Sequence, residues 1–96
     1  MNGSRAKVRL SADIVDLVRS LHPHLTRKIR AAFRAILDNP LSGKALKDEL
    51  EGLRSFRVGR IRIIYSTRGK ETVEVIAVGP RKTIYEETLR LLKKET

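Results

Sequence analysis

Polar and apolar positions change their spacing several times along this chain, and each change marks an element. Ala6, Val8 and Leu10 alternate with Arg5, Lys7 and Arg9, which predicts an opening strand with one solvated face. The spacing lengthens after Ser11. Ile14, Leu17, Val18 and Leu21 then fall on one side of a helix capped by Ser11, with Asp13 in its first turn. Beyond His22-Pro23-His24, a second helix gathers Leu25, Ile29, Ala32, Phe33, Ile36 and Leu37 on one face and stops at Asn39, before Pro40. The two helices form a hairpin whose outer side carries Arg27, Lys28, Arg30 and Arg34.

Residues 39 to 52 read as a connection, with Leu46 and Leu50 spaced for one helical turn. From Leu53 the period returns to two. Strands are predicted over 53–58 and 61–67, joined by Gly59-Arg60 as a two-residue turn of type II′. Arg68-Gly69-Lys70 marks the next turn, and the β-branched run from Thr72 to Val78 predicts another strand, ended by Gly79-Pro80. A last helix from about Thr83 carries Ile84, Leu89, Leu91 and Leu92 toward Thr96. The order β-α-α-β-β-β-α predicts one α+β domain spanning residues 1–96, its helices covering one face of a small, largely antiparallel sheet.

Composition narrows the possible functions. The chain's 96 residues suffice for one small core, and 41% apolar residues are enough to fold it. With no cysteine, disulfides, thiolate nucleophiles and cysteine metal sites are excluded. Val75 to Val78 is the longest unbroken apolar stretch, far short of a membrane span, so the expectation is a cytoplasmic protein with no membrane partner. Twenty-one Lys and Arg against eleven Asp and Glu leave a formal charge of +10, the footprint of a protein that meets phosphates.

The basic residues are not spread evenly. Pairing across the Gly59-Arg60 turn sets Arg57 directly opposite Arg62, while Phe56, Val58, Ile61, Ile63 and Tyr65 share the face that helices cover. Between Gly52 and Lys70 stand Arg54, Arg57, Arg60, Arg62, Arg68 and Lys70 without one acid. The strand that returns to Gly79-Pro80 brings Arg81 and Tyr85 toward the same end of the sheet. Guanidinium forks and an aromatic ring suit phosphate clamping and base stacking. His22 and His24 fall short of a zinc site without a third ligand and read as helix-end groups. Gly59, Gly69 and Gly79 mark strand ends, with no phosphate-loop fingerprint around them.

Leu46 to Leu53, Phe56-Arg57-Val58-Gly59-Arg60-Ile61-Arg62-Ile63-Ile64-Tyr65 and Val78-Gly79-Pro80-Arg81-Lys82-Thr83-Ile84-Tyr85 together resemble the RelE/ParE superfamily of toxin–antitoxin toxins. The resemblance covers nearly the whole chain. It implies a fold like that of small microbial ribonucleases and one of two activities: cutting messenger RNA in the ribosomal decoding site (RelE-like) or poisoning DNA gyrase without cutting (ParE-like). Carried over by position, Arg57, Arg62, Arg81 and Tyr85 match the nuclease's catalytic residues, which favours the RelE-like branch. Lys44, Lys47, Ser55, Arg60 and Lys82 are expected to contribute RNA contacts. One position departs from the pattern: the nuclease often carries a basic residue two before Arg57, where this chain has Ser55, and Arg54 lies on the opposite face. The implied reaction needs no cofactor and no metal. The implied partners are an acidic antitoxin protein in a hetero-oligomer, messenger RNA and the small ribosomal subunit. A plain RNA-binding module is the further alternative.

Overall fold

In the computed structural model, which describes residues 7–67 and 72–94, Ser11 accepts a hydrogen bond from the Ile14 amide at 3.2 Å and starts the first helix. That helix, α1 (Ala12–Ser20), follows strand β1 (Lys7–Arg9). The second, α2 (Pro23–Asp38), begins before the His24 boundary expected for it, because Pro23 fits the first helical position and His22 Nδ1 accepts from the His24 amide at 3.1 Å. Thr26 Oγ1 donates to the Val18 carbonyl at 2.9 Å and ties the helices together. Arg5 and Ala6, the Arg68-Gly69-Lys70 turn and Thr96 lie outside the described residues. No helix among the described residues is long and apolar enough to cross a membrane.

The connection after α2 holds more than the expected single helical turn. It holds a short strand, β2 (Lys44–Ala45), and a 3-10 turn at Asp48–Leu50. Three longer strands follow, β3 (Leu53–Val58), β4 (Ile61–Ser66) and β5 (Thr72–Pro80), before α3 (Arg81–Lys94). The sheet order is β1-β5-β4-β3-β2, antiparallel except where β1 runs parallel to β5. The sheet is therefore mixed, because the helical hairpin returns the chain to the far edge and β1 enters in the direction of β5.

Helices cover both faces, which corrects the expectation of one. The hairpin packs Ile14, Val18, Ile29, Ala32 and Ile36 onto Ile63, Tyr65, Val73, Val75 and Val78. On the opposite face α3 brings Ile84 onto Leu50, Leu53, Ile64 and Ala77. Ile63 and Ile64 are neighbours in sequence, face opposite ways and are both fully buried, as in a strand covered on both sides. A bulge aids this arrangement. Ile64 pairs with Ala77 but Tyr65 pairs with Val75, so Ile76 is an extra residue and the alternation on β5 shifts by one. Val73 and Val75 then meet the hairpin while Ala77 turns to α3.

Tyr65 fixes the connection to the sheet. Its buried hydroxyl donates to the Pro40 carbonyl at 2.7 Å and accepts from the Gly43 amide at 2.9 Å. Arg54, facing the same way, donates to the carbonyls of Leu41 at 3.1 Å and Gly43 at 2.6 Å. Its guanidinium is thus engaged in holding the loop.

Candidate functional site

The hairpin that carries the arginines forms in the register its sequence predicts. Gly59 takes φ +59° while Arg60 stays out of the left-handed region, the pattern of a type II′ turn. Val58 pairs with Ile61, and Arg57 with Arg62. On the other side of β4, Arg62 pairs with Gly79 and Ile61 with Pro80, which brings the end of β5 level with the turn. The Arg81 amide then donates to the Arg60 carbonyl at 3.1 Å, closing this end of the sheet.

An open depression results, lined by Arg57, Gly59, Arg60, Arg62, Pro80, Arg81 and Lys82. Its lining contains no carboxylate. Arg57, Arg60, Arg81 and Lys82 are exposed and Arg62 is half-buried. Arg57 Nε donates to the Gly59 carbonyl at 3.3 Å, which orients its fork at the turn.

Two features of this cluster oppose folding. Like charges directly across a strand pair cost roughly 0.2–1 kcal/mol. Arg81 and Lys82 stand in the first turn of α3, which has no acidic residue, where the helix dipole disfavours cations by about 0.3–1 kcal/mol each. An anion bound between the strand pair and the helix start would offset both. The dipole and the guanidiniums then act on it in the same direction.

Tyr85 does not line the depression. Four residues of helix carry it about 6 Å along α3 from Arg81, where it packs against the Leu50, Leu53, Ile64, Ala77 and Ile84 cluster. Its hydroxyl donates to Ser55 Oγ at 3.4 Å. Ser55 is itself buried, two residues before Arg57 on the same face. Arg54 lies on the other face as expected, bonded to loop carbonyls. Lys47 sits at the start of the 3-10 turn, outside the strand ladder and outside the depression. Lys44 is on β2, a strand the sequence pattern did not reveal, and pairs with Ser55. The structure thus brings Arg57, Arg60, Arg62, Arg81 and Lys82 into one place, with Ser55 and Tyr85 beside it.

Tyr85 has two separable groups, a ring and a hydroxyl. On the expectation of an RNA-cutting toxin whose Tyr85 ring stacks on a base, a contact of about 1–3 kcal/mol, Tyr85→Phe should retain far more cleavage than Tyr85→Ala. Cleavage rates of the two variants decide this, and equal losses would assign the work to the Tyr85 hydroxyl, which donates to Ser55.

Residues 7–85 match the family model described as the ParE toxin of the type II toxin–antitoxin system parDE. Toxin RelE of Mycobacterium tuberculosis is 40% identical over 68 residues, covering 64% of this chain and 70% of the relative. The toxin–antitoxin complex RelBE2 of the same organism matches in structure with a TM-score of 0.69 at 29% identity, covering 80% of this chain and 99% of the other. A mutant of the E. coli toxin RelE in the free state gives a TM-score of 0.73 at 14% identity, covering 95% and 97%. The family match over most of the chain, the sequence relative and the shared fold agree: the chain belongs to the RelE/ParE superfamily of type II toxin–antitoxin toxins.

Proposed function

We propose that this toxin is a RelE-like endoribonuclease that cuts messenger RNA on the ribosome and so stops translation. The observation that carries the reading is the carboxylate-free depression where Arg57, Arg62 and Arg81 converge. In the reaction a ribose 2′-oxygen attacks the adjacent phosphorus, the bond to the 5′-oxygen breaks, and the products carry a 2′,3′-cyclic phosphate and a 5′-hydroxyl. Arg57 and Arg62 stabilise the charge on the pentacoordinate phosphate. Arg81 stabilises the leaving 5′-oxygen electrostatically, because a guanidinium holds its protons too tightly to be a good acid. Tyr85 orients the neighbouring base. With no histidine or carboxylate in the lining, acid–base assistance is weak, so alignment of the 2′-hydroxyl by the ribosome supplies much of the rate. Free RNA is cut poorly.

This reading predicts the chemistry of the ends. In a reconstituted translation reaction, wild-type toxin produces message fragments whose 5′ ends accept ligation only after phosphorylation. Fragments carrying 5′-phosphates, or no fragments, would overturn it. The ParE description of the family match favours a second reading, a gyrase poison that cuts nothing itself. Ribosomes and gyrase are both cytoplasmic targets, so either reading places the toxin in the cytoplasm.

The M. tuberculosis RelBE2 neighbour is found in a toxin–antitoxin complex, and an archaeal RelE from Pyrococcus horikoshii in a RelE-RelB complex. For this chain the corresponding partner is an acidic, partly disordered antitoxin that folds on binding. The formal charge of +10 favours it. Ordering a segment costs entropy that apolar contacts must offset, while charge mainly speeds encounter. Binding to the product of the neighbouring reading frame should therefore show an association rate that falls steeply with salt and a dissociation rate that changes less. Surface-immobilised kinetics across a salt series checks this, and a salt-independent association rate contradicts it.

A further inference from the structure

We propose that Lys44 supplies a backbone-phosphate contact next to Ser55, gripping RNA beside the phosphate held by Arg57 and Arg62. This rests on the reading above that RNA is the ligand. On β2, Lys44 is the direct cross-strand partner of Ser55, so the two side chains leave the sheet on the same face. That face also carries Arg57, two residues along β3, and its partner Arg62. At about 3.4 Å per residue along a strand and 4.8 Å between strands, Lys44 starts about 8 Å from Arg57.

Ser55 cannot itself be replaced by a cation without rearrangement, since it is 3% exposed and receives the Tyr85 hydroxyl. Arg54 is engaged with the Leu41 and Gly43 carbonyls on the other face. Lys44 is exposed, and among the described residues its side chain has no hydrogen bond or ion pair. Its flexible stem lets the ammonium act as a point charge on a phosphate. Edge-strand lysines also serve to block edge-to-edge aggregation. Lys7, exposed on β1 at the opposite edge of the sheet, provides the comparison for that role.

The test measures binding of the wild-type chain, Lys44→Gln, Lys44→Arg and Lys7→Gln to a fluorescent single-stranded RNA oligonucleotide by anisotropy, between ~50 and ~200 mM salt. Removing one phosphate contact lowers the slope of log affinity against log salt by about 0.7 on single-stranded RNA and weakens low-salt binding about fivefold. Lys44→Gln shows both changes, Lys44→Arg restores the wild-type slope, and Lys7→Gln behaves as wild type. A wild-type slope in Lys44→Gln, a failure of Lys44→Arg to restore it, or an equal change in Lys7→Gln overturns the assignment while leaving the nuclease reading standing. A wild-type chain that binds the RNA with no salt dependence overturns the RNA-ligand reading itself.

Discussion

Arg62→Ala is expected to abolish growth inhibition and to leave the domain folded, with its unfolding midpoint unchanged or slightly raised. Arg62 is paired with Arg57 on one side and Gly79 on the other, half-buried in the depression with no carboxylate in the lining. Removing it relieves a like-charge pair, a gain of about 0.2–1 kcal/mol that offsets the lost packing of its stem. The functional loss is much larger, because removing a group that stabilises developing charge costs a factor of about 10²–10³ in rate. Growth on induction, with expression confirmed, is read beside thermal unfolding. A fully toxic Arg62→Ala variant would remove Arg62 from the mechanism, and an unfolded one would make it a structural residue.

The second large effect lies outside the depression, on the loop that Arg54 holds. Gly43→Ala should destabilise the domain by roughly 3 kcal/mol, combining overpacking with a disturbed pair of buried hydrogen bonds. A Cβ at position 43 would lie 2.5 Å from the Tyr65 hydroxyl oxygen and 2.8 Å from Cε1 of its ring. Tyr65 is fully buried and cannot swing away. Its hydroxyl holds Pro40 and Gly43, so the displacement also loosens the segment leading into β2. Tyr65→Phe keeps the ring and leaves the Gly43 amide unsatisfied, at about 1–3 kcal/mol. Thermal unfolding should place Gly43→Ala roughly 12–24 °C below wild type. A shift of only a degree or two would mean that the loop relaxes freely and that Tyr65 does not anchor it.

Where the pattern was local, the sequence was readable. The β3–β4 register follows from a two-residue turn flanked by alternation, so the Arg57–Arg62 pair is legible from the residues alone. Arg81 followed because an antiparallel return brings the end of β5 back to the turn. The second covered face was missed because alternation near the turn shows only the Phe56, Val58 and Ile61 side. The adjacent buried pair Ile63-Ile64 and the run from Val75 to Val78 carried the signal of a strand buried on both faces. The bulge at Ile76 changes no composition and leaves no mark in the pattern. Strand β2 consists of two exposed residues, so Lys44 gained its place opposite Ser55 only through backbone pairing. The anchoring of Tyr65 joins positions 22 and 25 residues apart, beyond the reach of periodicity.

The arginine cluster is proposed to cut message on the ribosome. The most direct measurement adds purified wild-type toxin to two parallel reactions, one translating a defined message and one containing DNA gyrase with supercoiled plasmid. The expected result is inhibited translation with message cleaved at discrete sites, lost in Arg62→Ala, and plasmid supercoiling unaffected. Gyrase-dependent DNA breaks accompanied by intact message would contradict it.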